Sequence, residues 1–130
     1  VSADVQVAVC DTAFASEFLS ACASSMAHLA AFCDGLVLVS HFDAPSQKIA
    51  LTDATLHICR LISNKTSRVT GDLMSVLTTA GSYTVSAAAK LQETCQPLFD
   101  GYDSLKSTLK VLRSILQSMA DHAGGAEQSA

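Results

Sequence analysis

Four histidines and five cysteines are the residues of this chain best suited to metal binding or nucleophilic chemistry. The histidines are His28, His41, His57 and His122; the cysteines are Cys10, Cys22, Cys33, Cys59 and Cys95. Their spacing argues against zinc, because no Cys-x-x-Cys and no His-Glu-x-x-His occurs. The closest mixed pair is His57 and Cys59, and residues two apart on a helix point about 200° away from each other. A di-iron bundle needs Glu-x-x-His on two helices, which Glu17, Glu93 and Glu127 do not provide. No metal and no cofactor is therefore expected.

Nucleotide and acyl-transfer chemistry lack their signatures as well. Neither a glycine-rich phosphate cradle nor a Gly-x-Ser-x-Gly elbow is present. With only 15% charged residues, candidates for a tuned acid and base pair are few, so the chain reads as non-enzymatic with no catalytic residue. An odd number of cysteines excludes a fully paired disulfide framework, and their Ala- and Ser-rich surroundings read as buried core thiols. Asn64-Lys65-Thr66 is a formal glycosylation sequon that matters only on a secretory route. The compartment stays open, leaning cytoplasmic, with secretion as the alternative.

The clearest surface feature is basic. Lys106, Lys110 and Arg113 stand at i, i+4 and i+7 and align along one side of a helix. Such a ridge beside an apolar seam fits an acidic motif on a protein or peptide partner, or an anionic lipid headgroup, and these three residues are the predicted partner-binding site.

The elements that must position this ridge are helices. Two prolines and six glycines punctuate 130 residues, favouring a few long elements over many short strands. The last helix carries Leu98, Tyr102, Leu105, Leu109, Leu112, Leu116 and Met119 as one stripe, with Asp103 or Ser104 as its cap and Pro97 and Gly101 as the break before it. Val69, Leu73, Val76, Ala80, Tyr83, Ala87 and Leu91 form a second stripe, which Gly71 and Gly81 either weaken or bring close to a neighbour. Between Pro45 and Asn64, apolar groups cover much of a shorter helix, begun by Asp43 or Ser46 and buried on more than one side. A first helix runs from about Asp4 to Val39, with helix favoured over strand at Leu36-Val37-Leu38-Val39 because a lone strand has no partner.

Four amphipathic segments predict an all-α, single-domain antiparallel four-helix bundle over residues 1–122, with 123–130 as a flexible C-terminal tail. At 49% hydrophobic residues the chain has ample material for a core. The net charge of −4 argues against nucleic-acid partners. No uninterrupted apolar run approaches the roughly 18 residues of a membrane span, and Val1-Ser2-Ala3-Asp4 lacks the basic start of a signal peptide.

The charge-poor helix Thr84-Val85-Ser86-Ala87-Ala88-Ala89-Lys90-Leu91-Gln92 resembles the rod bundles of talin and vinculin, a likeness of size and composition over about residues 4–122. The function read from the sequence is an adaptor or scaffold module binding an amphipathic helix or short peptide. The runner-up is a carrier holding a fatty acid or other apolar small molecule inside the bundle, and a homodimer closed over the leucine seam is the third reading.

Overall fold

The computed structural model describes residues 12–42, 53–80 and 87–128. Three helices account for almost all of them: α1 over Thr12–His41, α2 over Asp53–Ala80 and α3 over Ala87–Gln128. The chain is all-helical among the described residues, with no strand.

Each helix places a buried seam at alternating steps of three and four residues, the spacing by which helices interlock side by side. In α1 the buried positions are Ala15, Leu19, Cys22, Met26 and Cys33; in α2 they include Cys59, Ile62, Val69 and Val76. Three rungs result. Ala15 and Leu19 meet Val76 and Leu98, Cys22 and Met26 meet Val69 with Leu105 beside them, and Cys33 meets Cys59, Ile62 and Leu112. Ascending α1 descends α2 and ascends α3, so sequential neighbours run antiparallel and the topology is up, down, up.

Polar bonds reinforce the same register. Thr66 Oγ1 shares its proton between the carbonyl oxygens of Ile62 at 2.9 Å and Met26 at 3.2 Å, tying α2 to α1. Lys65 Nζ donates to Ser107 Oγ at 2.8 Å, tying α2 to α3. At the end of α1, His41 Nδ1 donates to the Val37 carbonyl at 2.7 Å, satisfying one of the acceptors a helix C-terminus leaves open.

Several expected boundaries move. The expected second stripe is divided: Val69 to Ala80 continues the helix expected to end at Asn64, because Asn64 to Arg68 contains no breaker and Thr70 and Thr78 each donate back to the carbonyl four residues earlier, whereas Ala87 and Leu91 belong to α3. Pro97 and Gly101 interrupt nothing. Pro97 lies buried inside α3, where its missing N–H leaves only the Glu93 carbonyl without its helical donor. Asp103 and Ser104 therefore sit in mid-helix instead of capping it. Leu36 to Val39 is helical as expected. The α2 face holding Ala54 and Leu61 is exposed, so this helix is buried along one side only near its start. The expected caps Asp43 and Ser46, and Tyr83 of the second stripe, lie outside the described residues. Past His122, α3 continues through the exposed Gly124 and Gly125 to Gln128.

Close approach happens at Gly101, not at Gly71. A β-carbon at Gly71 would meet open space, whereas one at Gly101 would fall inside contact distance of Leu19 Cδ2, with Val69 Cγ1 4.0 Å away. By length and composition alone, α1 is also long and apolar enough to cross a membrane, a test that core helices pass too.

Candidate functional site

Helix α3 carries two apolar seams, and only one is used. Leu98, Gly101, Thr108, Leu112 and Ile115 turn inward, with Leu105 partly covered between them. Phe99, Tyr102, Leu109 and Leu116, offset by one position, face outward. The single leucine stripe expected from the sequence is thus split: Leu112 is 4% exposed and Leu109 49%. Small residues decide the choice, because Gly101 and Thr108 let α3 approach α1 and α2 closely where Tyr102 and Leu109 would hold it away.

The outward seam and the adjoining surface of α1 form an open groove of about 550 Å³, lined by Leu29, Phe32, Leu109, Leu112, Arg113 and Leu116 among others. A smaller recess of about 330 Å³ continues along α3 between Tyr102, Leu105, Lys106, Leu109, Lys110 and Arg113. The three residues of the predicted site therefore share one exposed side of α3, with Lys106 and Arg113 falling in line with the outward seam. Lys106 Nζ sits 5.6 Å from the centre of the Tyr102 ring, within range of a cation–π attraction. Tyr102 tilts against Phe18 at 6.5 Å, and Phe18 stacks on Phe14 at 6.0 Å, so an aromatic run leads from α1 to the basic ridge. The ridge is wet on one side and apolar on the other.

Two groups inside the helical frame have perturbed chemistry. The Asp72 carboxyl is pushed above the ordinary carboxylate range, first by burial and then by the negative charge of Asp100, against the opposing pull of Arg68. Its Oδ2 is buried without a hydrogen-bond partner. Cys33 and Cys59 lie together in the third rung, and burial, then Cys59, pushes the Cys33 thiol up to about 12. The cysteine positions were legible as core; their meeting was not, since they lie on different helices. Asp72 escaped the sequence reading because one acid between Gly71 and Leu73 carries no pattern.

Of the other cysteines, Cys22 is a buried free thiol as expected, whereas Cys95 is disulfide-bonded and only partly buried, which corrects the expectation of a core thiol there. His57 is exposed while Cys59 is buried, so the two point apart. Among the described residues, no three histidine, cysteine or acidic side chains gather as metal ligands would.

No protein-family model matches the chain, and no solved structure matches it. Curated proteins do. The chain is similar to argininosuccinate lyases. It is 32% identical to the enzyme of Thermoanaerobacter sp. (strain X514) over 132 residues, covering 94% of this chain and 30% of the relative. The argininosuccinate lyase of Geobacter sulfurreducens is 31% identical, with 94% and 29% covered. That of Syntrophus aciditrophicus is 33% identical, with 85% and 26% covered. The chain thus spans less than a third of the length of these relatives.

This similarity overturns the functional reading made from sequence. Neither an adaptor or scaffold module nor a lipid carrier stands, and the expectation of a non-enzymatic chain is overturned with them, since its relatives are enzymes. The resemblance to talin and vinculin rods was one of helix texture, which any charge-poor bundle shares. The motif search failed for a physical reason: it asked for a complete catalytic set within 130 residues, whereas the lyases matched are more than three times as long.

Proposed function

We propose that this chain acts as a helical segment of a lyase of the argininosuccinate lyase type, and that its role there is to frame the site rather than to supply the whole of it. The observation that carries this is the similarity to lyases over 94% of the chain. Argininosuccinate is the substrate implied by the relatives' name.

The exposed seam of α3 supports a larger helical assembly. A helix laid against Phe99, Tyr102, Leu109 and Leu116 would complete an antiparallel four-helix bundle and cover apolar surface that water otherwise meets. Lys106, Lys110 and Arg113 would then flank that helix and contact acidic side chains on it.

The test is a chimera in which residues 12–128 replace the matching stretch of the Thermoanaerobacter enzyme. Retained cleavage of argininosuccinate is the expected result. A chimera with the parent's native mass and helical content but no cleavage would reject the proposal.

A further inference from the structure

The third rung joins two free thiols from different helices. Cys33 and Cys59 are both fully buried, 0% and 1% exposed, and pack with Ile62 and Leu112. The two lie on neighbouring helices within one buried cluster. Leu112 belongs to the same rung and also lines the groove between α1 and α3, so the pair lies beneath the groove. Cys95 is already disulfide-bonded, so the fold holds at least one oxidised cysteine.

We propose that Cys33 and Cys59 form a reversible disulfide that staples α1 to α2 under the groove, with a small-molecule disulfide such as oxidised glutathione as the oxidant. One cysteine, as thiolate, attacks a sulfur of the glutathione disulfide and expels one glutathione thiolate, leaving a mixed disulfide. The second cysteine loses its proton, attacks the protein sulfur and expels the other glutathione. The two protein thiols are oxidised to one disulfide, and one glutathione disulfide is reduced to two thiols. Burial keeps the closed pair protonated and out of the oxidant's reach, so exchange proceeds through opening of α1 from α2 and the bond, once made, persists when the helices close.

The purified protein is equilibrated across graded ratios of oxidised to reduced glutathione in a low concentration of urea. It is then alkylated and digested with trypsin, which leaves Cys33 in the peptide ending at Lys48 and Cys59 in the peptide ending at Arg60. The expected product is these two peptides linked, with fragmentation placing the bond at Cys33. The link should vanish in Cys33→Ala and Cys59→Ala and persist in Cys22→Ala. Oxidation should raise the urea midpoint of the parent and leave that of Cys59→Ala unmoved. Glutathione adducts that never close, a link through Cys22, no oxidation of either thiol, or a link without a rise in midpoint would each overturn the proposal.

Discussion

The Leu19 side chain occupies the place where residue 101 would carry its β-carbon, so α1 and α3 touch through a leucine on one side and bare backbone on the other. Leu19 is itself fully buried and cannot swing away without displacing Ala15, Val76 and Leu98 of its rung. Alanine in place of glycine gains about 1 kcal/mol of helix propensity, while overpacking a filled core costs typically 1–3 kcal/mol. Gly101→Ala is therefore predicted to lower the urea midpoint and Gly71→Ala, facing open space, to raise it. A midpoint for Gly101→Ala above that of the parent would refute the packing account.

Splitting of the leucine stripe makes a second prediction. Leu112→Ala should cost about 2–5 kcal/mol, the range for emptying a buried aliphatic position. Leu109→Ala, on the outward seam, should change the stability of this chain by less than about 0.5 kcal/mol. Equal losses in chemical denaturation would mean that both seams are filled.

These two leucines also mark where the sequence stopped being legible. Leu98, Leu105 and Leu112 fit either seam, and hydrophobicity alone favours interleaving them with Tyr102, Leu109 and Leu116. The fold interleaves Gly101, Thr108 and Ile115 instead, because close packing rewards small shapes that a hydropathy reading passes over. The helical class was readable from sparse punctuation, and so was the burial of Cys22, Cys33 and Cys59. The helix boundaries were not: α2 runs unbroken through the expected gap between Asn64 and Val69, and α3 runs through Pro97 and Gly101. The basic ridge could be aligned from spacing alone, but the groove beside it required Leu29 and Phe32 from a helix about 80 residues earlier in the chain.

Buried hydroxyls give a third prediction. Thr94 and Thr108 are 0% and 1% exposed, and their Oγ1 atoms have no hydrogen-bond partner. A buried polar group left unpaired costs about 1–3 kcal/mol, whereas valine has nearly the same shape without the hydroxyl. Thr108→Val should accordingly raise the melting temperature, and a drop in calorimetry would show that the hydroxyl is paired in solution.

The fourth prediction concerns Asp72 and pH. Its folded-state carboxyl binds a proton more tightly than the unfolded chain does, so its ionisation opposes folding. The penalty is absent below the ordinary carboxylate range, grows as the pH rises from that range to the raised folded value, and is complete above it. Asp72→Asn should stabilise the protein at neutral pH, where Asp72 is charged, with the gain disappearing in acid. Denaturation midpoints of parent and variant across pH test this, and a gain that persists at low pH would assign it to something other than charge.

The up, down, up order of the rungs carries a kinetic consequence. Helices α1 and α2 can pair as soon as the connection between them closes, and α2 and α3 likewise, but every rung needs a residue from all three helices. Long-range closure is slow compared with helix growth. Whichever pair of helices meets first, one side of each rung stays open to water until the third helix docks.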